Sequence, residues 1–181
     1  MLSLWLPILL SAVFVFVLSA LIHMALPWHK NDFKKMPDED GVRAALRPFD
    51  VPPGDYMLPH CADGNYSTPE YQAKLKDGPN QLVTVLQKGP TPMGPIFVQW
   101  FVYLVLVGVF TAYVAYHTLP AEAPYLAVFR IVGAVAFLAH AAALWPQSIW
   151  FRRSWSTTVK STIDGLVYAL VTAGTFAWLW P

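Results

Sequence analysis

The chain has 181 residues, of which 56% are hydrophobic and only 13% charged, and its formal net charge at pH 7 is +1. Soluble domains carry about 25% charged residues, so this composition favours a membrane protein and excludes an ordinary soluble domain. The balanced charge, with no basic stripe, excludes a nucleic-acid-binding protein. The single cysteine excludes an intramolecular disulfide and the exchange chemistry that needs paired thiols.

Long apolar segments predict an all-α integral membrane protein with one membrane domain over 1–181. A spanning helix needs about 20 mainly apolar residues. Four predicted transmembrane segments meet this requirement, at about 4–26, 95–117, 124–145 and 161–180. Their ends are marked by proline and by tryptophan, whose indole ring prefers the membrane–water interface. The first segment is uncharged and longer than the apolar region of a signal peptide, so we expect a retained helix.

The hydrophilic loop 27–94 is predicted to be partly structured. Acids followed by arginines predict a helix near 38–47, because a helix dipole favours that charge order. A capping pattern before proline predicts a second helix near 68–76. An extended segment near 82–87 has a weaker candidate partner at 55–58. A loop of this length cannot bury a large core, so we expect it to dock on the helix ends or on a partner.

Basic residues predict the orientation of the chain. The first loop carries three lysines beside the first segment, and the connection between the third and fourth segments carries Arg152, Arg153 and Lys160. The turn 118–123, between the second and third segments, and both termini contain no Lys or Arg. The positive-inside rule therefore predicts that both basic loops face the cytoplasm and both termini lie outside it, in a bacterial inner membrane.

A first candidate cofactor site comprises His23, His140 and Asp164, which are predicted to share one depth near the cytoplasmic side. Two histidines could ligate a haem iron, and two histidines with a carboxylate could bind a transition metal. The simpler interpretation pairs Asp164 with Lys160 one turn earlier and His23 with an oxygen of Ser19. We expect that the two imidazoles do not converge and that each bonds a local oxygen.

A second candidate site lies in the loop, where Met57, His60 and Cys61 bring three soft or borderline ligands within five residues. His23, Met24 and His29 stand near the same membrane exit. Thioether, imidazole and thiolate suit copper(I). The simpler interpretation is a turn around Pro59.

A third candidate is an anion or lipid anchor formed by Arg130 and His117. Arg130 lies about two turns into the third segment, where a charge costs about 2–3 kcal/mol by insertion scales. It either extends outward to the interface or faces inward, near His117, to hold a lipid headgroup, a quinone oxygen or a carboxylate.

No motif of a hydrolase, a phosphate-binding loop or a dinucleotide-binding fold is present. The sequence therefore favours a non-catalytic accessory or assembly subunit of a larger membrane complex. Its expected partners are the lipid bilayer and other membrane-protein subunits, with no nucleic acid. Two alternatives remain open: a haem- or copper-binding membrane protein that uses the inner-side histidines, and a small membrane enzyme that acts on lipid or quinone.

Overall fold

The computed structural model describes residues 2–181, and 68% of the chain is helical. In chain order, its main elements are α1 (Trp5–Ala20), α2 (Glu39–Leu46), β1 (Gly54–Leu58), α3 (Pro69–Asp77), β2 (Gln81–Val85), α4 (Met93–Thr118), α5 (Tyr125–Ala141), α6 (Trp145–Ile149) and α7 (Trp155–Trp178). The chain divides into two compact units. One is Lys35–Thr91, and the other contains the remaining described residues.

Three helical stretches of the described chain are long and apolar enough to cross a membrane. They are Trp5–Ala25, Met93–Thr118 and Tyr125–Ile149, close to the first three predicted segments. The fourth predicted segment forms α7, which begins six residues earlier than expected, at Trp155. Its first turns carry Lys160, Asp164 and several hydroxyl side chains, which explains its lower apolarity.

The four long helices pack in a closed ring, in which α1 contacts α4 and α7, and α5 contacts the same two helices. The closest pair is α5 and α7, because α7 presents a small residue at every fourth position from Gly165 to Ala177. A Cβ added to Gly165 would lie 3.1 Å from the Cβ of Ala141 and 3.3 Å from the His140 main chain. This arrangement puts α1 and α5 at opposite corners of the bundle.

One end of the bundle is filled by apolar side chains. Leu4, Val128, Val132 and Phe176 are fully buried there. Towards the other end, a second cluster includes Val15 and Leu104 and ends at the half-polar Tyr168. Apolar packing therefore dominates one end, where hydroxyl side chains such as Thr111 and Thr175 are also buried, and the buried polar rings and the carboxylate lie towards the other.

The Lys35–Thr91 unit contains the elements predicted for the loop. Helices α2 and α3 form where expected, and the Thr68 side chain caps α3 by accepting from the amide of Tyr71. Strands β1 and β2 pair antiparallel, with Gly54 opposite Val85. None of the residues in this unit is fully buried. The expected docking of this segment on helix ends or on a partner stays a prediction.

Candidate functional site

The end of α1 is shaped by a change in helix type. Residues Leu21–Ala25 form one wider π-helical turn, a feature that recurs at functional sites. The chain then leaves the helix at Leu26 and makes a short 3-10 turn over Pro27–His29. These two turns bring the rings of His23 and His29 into a parallel stack, 4.4 Å between centroids and 4° between planes.

His29 lies between two carboxylates. Its Nδ1 donates to Oδ2 of Asp32 at 2.6 Å, and its Nε2 donates to Oδ2 of Asp164 at 2.8 Å. Lys160 extends the chain of contacts by donating to Oδ1 of Asp32 at 2.8 Å.

These groups are largely withdrawn from water. The side chain of Asp164 is 6% exposed and that of Asp32 is 8% exposed. The hydrogen bond from Lys160 holds the pKa of Asp32 below its usual range; burial opposes this shift, and His29 adds to it. Burying a charge costs free energy unless an opposite or hydrogen-bonding group pairs with it. In this network, Asp32 is paired with Lys160 and His29, and Asp164 is paired with His29.

The same residues have the arrangement of a metal centre. His23, His29 and Asp164 can each offer one ligand atom, and these atoms lie within 4.8 Å of one another. The Nδ1 of His23 donates to the main-chain oxygen of Ser19 at 3.0 Å, which leaves its Nε2 to coordinate. Likewise, the carboxylate of Asp32 is hydrogen-bonded to Nδ1 of His29. Metal-binding histidines almost always have the second ring nitrogen held in this way, by a carbonyl or a carboxylate.

An ion at this site would require the side chains to move, because the three ligand atoms are brought only within 4.8 Å of one another and the two imidazole rings are stacked in parallel. Around a tetrahedral ion with bonds of about 2.0–2.1 Å, neighbouring ligand atoms lie roughly 3.3 Å apart. The present separation of Asp164 Oδ2 and His29 Nε2 is 2.8 Å. The carboxylate would therefore withdraw by roughly 0.5 Å as the ion replaced the shared proton.

A cavity of about 700 Å³ lies beside this cluster, and all four long helices contribute to its wall. This volume falls within the usual range for small-molecule sites. His23 and Asp164 belong to both the cluster and the cavity wall. The aromatic part of the wall consists of Phe16, Phe97, Trp100, Tyr103, His140 and Tyr168.

Tyr168 and His140 supply polar groups to this wall. The Tyr168 side chain is 4% exposed, and its hydroxyl has no hydrogen-bond partner among the described residues. His140 contacts the rings of Tyr168 and Tyr103 edge-on, at 5.6 and 5.9 Å, and makes no hydrogen bond within residues 2–181. An unpaired buried hydroxyl is costly, so this one needs an explanation.

The structure rearranges the first predicted site. His23, His140 and Asp164 do line one cavity, and His23 bonds the local carbonyl of Ser19 as expected. However, His140 packs on tyrosine rings instead of bonding a local oxygen. The third member of the metal-type group is His29. Lys160 pairs with Asp32 rather than with Asp164, because Asp164 is buried and turned towards His29.

Sequence reasoning missed the roles of His29 and Asp32. The sequence pattern places His29 only beside the loop copper site and indicates no role for Asp32. Their three-residue spacing directly after a membrane helix was an available signal, since one turn places such side chains side by side. The contact between His29 and Asp164 joins residues 135 positions apart, so no local sequence pattern could predict it.

The second predicted site lies in the hydrophilic unit. Met57 is in β1, and the thiol of Cys61 donates to Oδ1 of Asp63 at 3.2 Å. Burial and this hydrogen bond raise the pKa of the Cys61 thiol. The thiolate that copper(I) prefers is therefore less available. Copper binding by Met57, His60 and Cys61 stays a prediction.

Arg130 and His117 are both exposed, and neither lines the cavity. The Nδ1 of His117 donates to the main-chain oxygen of Tyr113 at 2.8 Å, and the two rings lie 4.4 Å apart. An anion or lipid anchor at these residues stays a prediction. It would be independent of the cavity.

Comparison with protein families, with curated protein sequences and with solved structures finds no match for this chain.

Proposed function

We propose that the protein binds a divalent transition metal at the membrane surface through His23, His29 and Asp164. The observation that carries this proposal is the convergence of these three ligand atoms within 4.8 Å. The Ser19 carbonyl and the Asp32 carboxylate support it by holding the remaining nitrogen of each ring.

The donor set selects the class of metal. Two imidazoles and one carboxylate suit zinc or ferrous iron, whereas copper(I) favours sulfur ligands. Bis-histidine haem needs two rings on opposite sides of the iron. The rings of His23 and His29 lie on one another in a stack and cannot take opposite axial positions, and one ring would have to turn out of the stack for both to reach a single ion. These features favour a mononuclear metal ion over haem.

Three protein ligands leave a further coordination position for water or another ligand. Structural zinc sites use four protein ligands, and reactive ones keep a position open. Because His23 and Asp164 also line the cavity, the open position would face it. The site is therefore suited to act on, or to sense, a molecule that enters the cavity.

We propose further that α7 is a fourth transmembrane helix and that both termini lie outside the cytoplasm of a bacterial inner membrane. Its 24 residues span about 36 Å, enough to cross a hydrocarbon core of about 30 Å. Lys160 lies about 8 Å from the start of α7, where a lysine can reach the interface; Asp164 lies about 14 Å from the start and is paired with His29. Reporter fusions after Pro181 should be periplasmic, and a tag near Gly64 should be cytoplasmic. The opposite result at either site would reject this topology.

Metal titration of the detergent-purified full chain tests the metal site. After chelator treatment, Zn²⁺ should bind with one ion per chain by calorimetry, and Co²⁺ should develop visible bands typical of coordination by nitrogen and oxygen. We expect His29→Ala and Asp164→Asn to weaken binding by roughly a hundredfold or more, because each removes a direct ligand.

His117→Ala is a matched control, since its Nδ1 also bonds the carbonyl four residues earlier, as that of His23 does. The control should bind like the unaltered protein. Equal affinity in His29→Ala and His117→Ala, or less than one ion per chain, would reject the site.

An accessory or assembly role in a larger complex is compatible with metal binding and stays a hypothesis. Identification of the chains that co-purify with the protein after mild solubilisation tests it.

A further inference from the structure

We propose that the cavity between the four long helices binds the head group of an isoprenoid quinone, with a carbonyl oxygen held by Tyr168 and His140. This inference goes beyond the metal site and does not depend on it. Three features carry it: the unpaired hydroxyl, the aromatic wall and the charge of the lining.

The hydroxyl of Tyr168 is the first feature. The side chain of Tyr168 lines the cavity, whereas its hydroxyl oxygen is fully buried and finds no acceptor among the residues that the structure describes; a ligand oxygen would reach it after a movement of the side chain. The ring centroid of His140 lies 5.6 Å from that of Tyr168, and His140 makes no hydrogen bond within residues 2–181. Polar groups on two neighbouring rings, neither of them paired, suit a ligand oxygen that accepts a hydrogen bond.

The wall around these groups favours a flat ring. Trp100 and Tyr103 stack 5.4 Å apart at an interplanar angle of 22°. The Phe16 ring meets Phe97 edge-on at 6.1 Å across the α1–α4 side. Aromatic side chains prefer stacked or edge contacts with other rings, and a quinone ring can make both. The two acyl chains of a phospholipid contain no ring and could make neither the stacked nor the edge-on contacts.

Charge argues against a phospholipid headgroup as the occupant. No Lys or Arg occurs among the described residues that line the cavity, whereas the carboxylate Asp164 does. A phosphate would therefore meet repulsion, while a neutral quinone would not.

The mouth of the cavity suits a long apolar tail. Met24 at the end of α1, with Met93 and Ile96 at the start of α4, contributes exposed apolar side chains to its lining. Flexible methionines adapt to irregular apolar ligands. A tail could therefore leave between α1 and α4 towards the lipid.

Direct binding tests the inference on the purified full chain in detergent. The probes are a ubiquinone with a ten-carbon tail, decylbenzene as a ring and tail without carbonyls, and dioleoylglycerol as a source of acyl-ester carbonyls. Quenching of tryptophan fluorescence, with Trp100→Phe to identify the cavity signal, and calorimetry report binding. We expect one quinone per chain and an affinity about tenfold above that of decylbenzene.

Tyr168→Phe removes only the hydroxyl and should not impair folding, since that group has no partner within the described chain. We expect it to weaken quinone binding by about tenfold and to leave decylbenzene binding unchanged. Tyr113→Phe, on an exposed ring of the same helix as Trp100, should change neither.

Three results would overturn the inference. They are equal affinity for quinone and decylbenzene, stronger binding of dioleoylglycerol than of quinone, and unchanged quinone affinity in Tyr168→Phe. His29→Ala separates the two proposals, because His29 does not line the cavity. That variant should lose metal and keep quinone.

Discussion

The two ends of the helical bundle are built on different principles, although the same four helices form both. At one end, which we call the filled end, Leu4, Val128 and Phe176 are fully buried between the helices. At the other end, which we call the open end, polar side chains such as Asp164 and Tyr168 are buried around a cavity of about 700 Å³. Hydroxyl side chains such as Thr111 are buried at the filled end as well, but a buried carboxylate beside a cavity is found at the open end. Buried charges and voids both cost stability, which is why the open end is the candidate site.

The largest expected effect is at the filled end. Phe176→Ala removes a fully buried ring and should lower the free energy of unfolding by about 3–5 kcal/mol. Phe110→Ala is the control, because that ring lies on α4 and is 67% exposed, facing outward. Unfolding followed by circular dichroism in detergent measures both. Similar losses in the two variants would contradict the division between filled and open ends.

The next effect concerns the α5–α7 contact that joins the two ends. Gly165→Leu places side-chain atoms against Ala141 and the His140 main chain, and overpacking of this kind costs about 1–3 kcal/mol. We also expect weaker quinone binding, since Gly165 and His140 both line the cavity. Gly94→Leu is the control, because a Cβ there meets no atom within 4 Å. A stable Gly165→Leu variant with unchanged ligand binding would refute this account.

An effect of comparable size concerns the ion pair at the open end. Lys160→Met leaves the buried carboxylate of Asp32 with His29 alone, and we expect a loss of about 1–3 kcal/mol. Lys74→Met removes the exposed partner of Glu70 and should cost less than about 0.5 kcal/mol. Chemical unfolding of both variants gives the comparison. Equal losses would show that burial at the open end does not strengthen the pair.

The smallest effect is a change in pH dependence. Because the native pKa of Asp32 is lowered, its contribution to stability is complete above its ordinary pKa of about 3.9 and is lost as the pH falls through the lowered native value. Melting temperatures between pH 6 and pH 3 should therefore fall less steeply in Lys160→Met than in the unaltered protein. Asp50, Asp63 and Glu70 also have lowered pKa values, but their partners are the same in both proteins. Parallel curves would rule out this role for Asp32.

Most of the secondary structure could be predicted from local pattern. The apolar segments, the capping sequence at Thr68 and the β-branched run near Val83 each act over a few residues, so each predicts an element. The start of α7 was placed six residues late because Trp155 to Lys160 is polar. Hydroxyl residues there bond backwards or to neighbours, as Thr158 does to Ser148 at 2.6 Å, and do not end the helix.

The candidate site was predictable only in part. Depth along a helix follows from sequence position, which is why the sequence predicts one depth for His23, His140 and Asp164; all three line the same cavity. The rotation of a helix about its own axis, and the path that the chain takes after the helix ends, do not follow from sequence position. The π turn and the 3-10 turn that bring His29 between Asp32 and Asp164 depend on contacts with α7.

The sequence by itself determined the class of the protein, the positions of its long helices and the elements of its hydrophilic unit, because apolar runs, caps and strand patterns are local. The tertiary structure decided which helix ends meet, that His29 and not His140 joins His23 and Asp164, and that Tyr168 borders a cavity. These outcomes depend on close packing between helices far apart in the chain, where a small residue such as Gly165 sets the distance between them.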